Sequence, residues 1–198
     1  MSGTDRDDRA RAVHEAATAI IASRGAGALT LRELADALGG SMTLVTHYFP
    51  TQAHLMRGVL KHERTLLDDD LACAAATDDP HRQLYATLEC LMPLTPSRLQ
   101  RARARVLLAL QASGSEPWMR EHVTTVEARI RAAILDGLRP LVPAAELDQA
   151  ADVVRVVLNG IVLSTIEHPA PWTPDRQRAV LDAMLRALIA EVGRAQSA

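Results

Sequence analysis

The chain has few aromatic rings, few thiols and almost no lysine. Its 198 residues include two Trp, two Tyr, one Phe and two Cys, and Lys61 is the only Lys beside an otherwise all-Arg set of basic side chains. The formal net charge is −2, so there is no global basic bias, and any contact with nucleic acid must rest on local features. Cys73 and Cys90 fit neither a metal spacing nor a CxxC redox pair and are expected to be reduced thiols. Seven His are scattered with no HExxH, no pair at i, i+4 and no Gly-rich phosphate loop. An enzyme is therefore not expected, and neither a cofactor nor a metal. The longest apolar run, 153–166, carries Arg155 and Asn159 and is too short to span a bilayer. Residues 1–11 are polar and charged, unlike a secretion signal. The expectation is a cytoplasmic protein without membrane contact.

Helical periodicity is what the chain does have. With 48% hydrophobic and 23% charged residues it suits a folded globular protein. Val13, Ala16, Ala17, Ile20 and Ile21 form one stripe of an amphipathic helix that Gly25 and Gly27 end. Thr30 and Glu33 have capping-box spacing, followed by Leu34, Ala35 and Leu38 on a buried face. A third short helix runs to about Tyr48, capped by Ser41 and closed by Pro50. A fourth begins near Thr51 or Gln52 and runs toward Ala76. Pro80, Pro96, Pro117 and Pro174 each sit where a first helical turn starts, three of them behind Asp79, Thr95 or Thr173 as caps. Ser115 is the better cap candidate before Pro117. The reading is all-α with about nine helices, the later ones at 80–92, 96–112, 117–139, 144–167 and 174–193.

Two helices of about two turns joined by Gly39-Gly40 have the form of a helix-turn-helix, at about 30–49. In its second helix Val45, Phe49 and Leu44 fall inward, while Met42, Thr43, Thr46 and His47 face outward. Short side chains at that end can approach base edges in a major groove, and a Thr methyl can meet a thymine methyl. Helix N-termini offer N–H groups that suit phosphate oxygens.

The run "AVHEAATAIIASRGAGALTLRELADALGGSMTLVTHYFPTQAHLMRGVL" resembles the DNA-binding domain of TetR-type bacterial transcriptional regulators, most closely in Arg24-Gly25, Leu29 to Ala35, Gly39, Ser41 and His47-Tyr48-Phe49-Pro50. The resemblance implies a ligand-responsive homodimer on a near-palindromic double-stranded DNA operator, most simply a repressor that a small molecule releases. By the same resemblance Met42, Thr43 and Thr46 face bases, His47 and Tyr48 reach the backbone or flanking bases, and Thr30, Ser41 and Gln52 complete the DNA-binding set. The chain departs from the family at Met42, Thr43, Leu44 and Thr46, and Gln52 stands where a phosphate-binding Lys is usual. Residues 1–62 hold seven basic and six acidic side chains, so affinity must draw on Arg placement and helix termini.

The organisation expected is a DNA-binding domain over 7–67 and an effector-binding and dimerisation domain over 75–198. The segment "EHPAPWTPDRQRAVLDAMLRALI" resembles the end of the betaine-type repressor subgroup, implying that the last two helices form a four-helix bundle with their copies. Val154, Leu158, Ile161, Leu181, Met184 and Leu188 are the interface candidates. A pocket between the middle helices needs apolar walls with a few polar anchors. Its candidates are Cys90, Met92, Leu107, Gln111, Trp118, Met119, His122 and Asn159, with Asn159 expected to be a buried amide. Arg98, Arg101 and Arg105 share a face that reads as a solvated stripe. The pairs His62-Glu63 and Glu121-His122 read as solvated or capping groups. A helical small-molecule-binding protein, or an activator without repressor behaviour, is the alternative.

Overall fold

Caps and prolines decide where the helices begin. A computed structural model describes residues 3–40, 42–74, 79–112 and 116–195. Its helices are α1 (Gly3–Arg24), α2 (Leu31–Ala37), α3 (Met42–Tyr48), α4 (Gln52–Ala74), α5 (Pro80–Leu91), α6 (Pro96–Gln111), α7 (Pro117–Leu138), α8 (Leu147–Glu167) and α9 (Pro174–Ala195), with a 3-10 turn at Ala26–Ala28. There is no strand among the described residues. The Asp79 carboxylate accepts from the N–H groups of His81 and Arg82 at 2.9 and 3.2 Å, and Pro80 fills the next position, where a missing N–H costs nothing. Thr95 and Thr173 cap α6 and α9 in the same way through the N–H groups of Arg98 and Arg176. Ser115 lies outside the described residues. α8 starts at Leu147 rather than near 144, because residues 143–146 form a turn closed by the Glu146 N–H on the Pro143 carbonyl, 3.0 Å.

The chain divides into two compact units, one of Met1–Leu66 with Gln100–Val123, the other of Leu67–Leu99 with Thr124–Ala198. The core of the first unit joins Ala17, Ile21, Leu29, Leu34, Val45, Leu55 and Val59 with Ala104, Leu108 and Met119. Residues 100–123 thus pack with the N-terminal helices, whereas a cut near residue 70 would give them to the second domain. The core of the second unit is built from Leu84, Leu88, Met92, Ile134, Leu138, Val154, Leu158, Ile161 and Leu181. Among the described residues α8 is the one helix long and apolar enough to cross a membrane. Its Val154, Leu158 and Ile161 are instead sealed in this protein core.

Two glycines of the first unit, Gly25 at φ +83° and Gly39, have a backbone that side-chain-bearing residues rarely adopt. Gly39, at φ +61°, turns the chain between α2 and α3, and a Cβ there would meet no atom within 4 Å. Only the backbone is at stake, so Gly39→Ala should lower unfolding free energy by about 1 kcal/mol. Gly27→Ala, also in open space but without positive φ, should stay within about 0.5 kcal/mol of the parent. Urea denaturation of both variants checks this contrast.

Candidate nucleic-acid interface and an adjoining cleft

The two short helices of the first unit are held by local bonds. The Thr30 hydroxyl oxygen accepts from the Glu33 N–H at 3.1 Å, which is half of the capping box expected. The Glu33 carboxylate does not return to Thr30. It pairs with Arg24 at 2.6 Å, tying the end of α1 to the start of α2, and that hydrogen bond holds the carboxyl below its usual range. α3 has only seven residues, too few to be stable alone, and is fixed by tertiary contacts. Val45 is buried, and the half-buried Phe49 ring reaches Gly58 of α4, with Cε1 3.1 Å from where a Cβ would sit.

That anchoring leaves Met42, Thr43, Thr46, His47 and Tyr48 exposed along one side of α3. The Thr46 hydroxyl donates to the Met42 carbonyl at 2.9 Å, so its proton is used within the helix and a lone pair and a methyl remain for a partner. His47 and Tyr48 meet edge to face, ring centres 5.5 Å apart. Thr30 is half-buried, and Gln52 is exposed as the first residue of α4. Ser41 lies outside the described residues, as does the Leu44 side chain.

The eight pocket candidates are divided between the two units. Cys90, Met92 and Asn159 belong to the second unit, and the other five to the first. Asn159 is exposed and accepts a hydrogen bond from Arg155, one turn earlier, which also grips Glu127. It is not a buried amide: α8 is apolar almost all round in sequence, and the side facing solvent could not be told from the side facing the core. Met92 is core, while the half-buried Cys90 thiol, pushed up by burial, donates to the Asp70 carbonyl at 3.4 Å.

Gln111, Trp118 and Met119 do come together, at a cleft of about 410 Å³ within the first unit. Its other lining comes from Ala26 and Gly27 of the turn after α1 and from Gln52, Ala53 and Met56 of α4. Leu107 is half-buried and does not line it. The Gln111 Oε1 accepts from the Ala26 N–H at 3.0 Å. Its carboxamide packs so closely on Gly25 (φ +83°) that a Cβ there would lie 2.6 Å from Nε2. Arg57 stacks its guanidinium over Trp118, 5.4 Å from the ring centre. No sequence signal marks Ala26, Gly27 or Ala53, whose contribution is smallness.

The interface candidates also need correction. Val154, Leu158, Ile161 and Leu181 are at most 2% exposed and lie in the chain's own core, with almost no surface left for a partner. Met184 and Leu188 are half-buried against the same core. Among the described residues of the second unit, the large apolar side chains left outside are Val153, Val156 and Leu163 of α8 and Ile189 of α9, with Val156 at 69% exposure. Nor is Arg98 solvated: it donates to the Glu89 carbonyl and pairs with Asp70 at 3.8 Å.

These features define a class, a helical regulator carrying a DNA-binding helix-turn-helix. Residues 14–59 match the family model of bacterial regulatory proteins, tetR family. Residues 80–190, over half the chain, match that of the BetI-type transcriptional repressor, C-terminal, and the protein belongs to this family of TetR-type transcriptional regulators. It is 25% identical over 183 residues to the HTH-type transcriptional regulator BetI of Rhizobium meliloti (strain 1021), covering 90% of this chain and 88% of that one. A transcriptional regulator from Rhodococcus sp. Rha1 superposes with a TM-score of 0.74 at 25% identity, over 94% of this chain and 96% of the other. A transcriptional regulator from Saccharomonospora viridis, solved in complex with choline, gives a TM-score of 0.76 at 16% identity, over 91% and 96%. Proteins of this family are regulators, not enzymes.

The first unit also holds the half-buried His14 and His62 and the buried His122; of these, His62 and His122, with their Glu neighbours, read as solvated or capping groups from sequence alone. His14 stacks on His62 with ring centres 4.0 Å apart, and Glu63 accepts from the Thr18 hydroxyl at 2.9 Å. Burial, and then the neighbouring His62, bring the pKa of His14 down to about 4. Burial, and then Arg64, do the same for His122, also to about 4. Each ring stays neutral in the folded chain at a pH where the unfolded chain takes up a proton near 6.5. The unfolded state therefore binds more protons, and stability is full above about 6.5 and falls as pH drops toward 4. Between pH 7 and 4.5 a His14→Gln, His122→Gln double variant should lose about 2 kcal/mol less than the parent, once partial solvation is allowed for. Urea unfolding at both pH values measures it.

Proposed function

We propose that the protein works in the cytoplasm as a homodimeric repressor whose α3 enters the major groove of each half of a near-palindromic operator. The observation that carries this is the split of α3 into a buried Val45 and an exposed Met42, Thr43, Thr46 and His47. Met42, Thr43 and Thr46 then face base edges, and Thr46 recognises through its lone pair and methyl because its proton is engaged by Met42. His47 and Tyr48 reach the backbone or flanking bases. Thr30, Ser41 and Gln52 contact phosphates, all three as neutral groups that position rather than attract. Release follows when a small molecule binds the off-DNA arrangement better than the DNA-bound one. That the effector is a small molecule is supported by the likeness to the regulator solved with choline.

Replacing Thr43 and Thr46 together by Asp places two carboxylates before base acceptors and phosphates. Selective affinity for DNA upstream of the protein's own gene should fall about 100-fold or more, with helicity by circular dichroism unchanged. Equal binding by parent and variant in salt-titrated fluorescence anisotropy would remove α3 as the reading element.

The dimer is supported by the exposed apolar stripe of α8, Val153, Val156 and Leu163, which lies beside the small Gly160 and near one face of a helix otherwise committed to the core. A two-fold contact buries such a stripe against its own copy. Val156→Glu should yield a folded 21.4 kDa monomer in sedimentation at micromolar concentration. Leu158→Ala, in the core, should instead cost about 2–5 kcal/mol of stability. A parent chain that sediments as a monomer overturns the dimer.

A further inference from the structure

The cleft of the first unit is chemically selective. No charged side chain lines it: Ala53, Met56, Trp118 and Met119 give apolar walls, and Gln52 and Gln111 supply carboxamides. Met56 and Met119 are almost fully buried, so each shows the cleft only a small apolar surface held in place by the core. Gln111 is pre-set. Its Oε1 is held by the Ala26 N–H and its amide group lies against the bare Cα of Gly25, so what that carboxamide has left to give is N–H donation. An anchor already ordered loses little freedom on binding. A cationic ligand is disfavoured, because recognition of quaternary ammonium uses several ring faces around the charge. Here the cleft has one ring, Trp118, and the Arg57 guanidinium already stacks on it. The other tryptophan, Trp172, belongs to the second unit and carries Arg176 over its ring at 4.8 Å.

We propose that this cleft is a binding site for a neutral, largely apolar small molecule that carries a hydrogen-bond acceptor for Gln111, and that its occupant competes with DNA for Gln52. The second half rests on the regulator reading above, in which Gln52 touches phosphate. Gln52 both opens α4 and lines the cleft, so a ligand that engages its carboxamide draws it from the backbone of the operator. Binding in the cleft and binding to DNA are then antagonistic by reciprocal linkage.

Prodan, a neutral naphthalene ketone whose emission moves to the blue in apolar surroundings, is the probe for the full-length chain. Saturable binding is expected, and tetramethylammonium in about tenfold excess should not displace it. Ala53→Trp projects an indole into the cleft from an exposed helical position and should weaken Prodan binding about tenfold or more. Gln111→Glu keeps the acceptor for the Ala26 N–H but removes the amide donor, and should weaken it about threefold or more. If one variant fails to fold, the other decides. Unchanged Prodan affinity in a folded variant, or displacement by tetramethylammonium, overturns the site. With the upstream DNA fragment, saturating Prodan should lower affinity about fivefold in the parent and leave Ala53→Trp unaffected. A fragment that is bound equally with and without Prodan overturns the competition for Gln52. A fragment that is never bound overturns the regulator reading, while the Prodan titrations still judge the cleft.

Discussion

Everything the first unit can offer to a partner depends on how a seven-residue helix is kept in place. α3 is too short to persist by its own hydrogen bonds. Val45 goes into the core and Phe49, the only phenylalanine of the chain, lies on the bare face of Gly58. A Cβ at 58 would lie 3.1 Å from that ring, so the ring would have to give by a few tenths of an ångström. The glycine on α4 and the aromatic ring beyond α3 act as one fitting, and Gly39 at φ +61° gives the chain the turn it needs to reach it.

The second unit meets the opposite problem, an excess of apolar surface. α8 carries Val, Leu and Ile on nearly every side, and the fold allots them in stripes: Val154, Leu158 and Ile161 inward, Val153, Val156 and Leu163 outward. Periodicity cannot assign that phase, because a helix apolar all round has no polar side to mark solvent. The sequence reading accordingly placed core residues at an interface. The polar residues on α8 are informative only after the neighbours are known. Arg155 reaches Glu127 on α7 and Asn159 on its own helix, and that cluster marks a wet edge between the two stripes.

What was legible in the sequence follows from range. Caps act within three residues, so Thr30, Asp79, Thr95 and Thr173 mark helix starts correctly, and the inward positions of α1 and α2 follow from their stripes. The exposed side of α3 is equally local. The cleft is not, because Ala26 meets Gln111 across 85 positions in the chain. The same holds for His14 on His62 and for Glu63 on Thr18, whose side chains look solvated until α1 and α4 are known to pack. Glu33 shows a local rule losing to a tertiary one: its capping-box partner was three residues away, but Arg24 offers a full charge, and a charge-assisted bond is roughly twice as strong as a neutral one.

The scarcity of charge around α3 bears on how selection among DNA sequences would work. With Gln52 in place of a cation and near-balanced charge over residues 1–62, little free energy can come from counterion release, which all sequences share equally. Recognition must then lean on shape and on short-range contacts of small groups, the methyls of Thr43 and Thr46, the lone pair that Thr46 keeps, and the thioether of Met42. Such contacts fall off steeply with distance, so they tolerate little movement of α3. A regulator built this way holds its operator weakly in total but selectively, and displacement of a single phosphate contact at the start of α4 removes a larger share of its affinity than it would from a lysine-rich interface. On the proposal that Gln52 touches phosphate, its neutral side chain is what would let a small ligand in the neighbouring cleft compete with a DNA backbone.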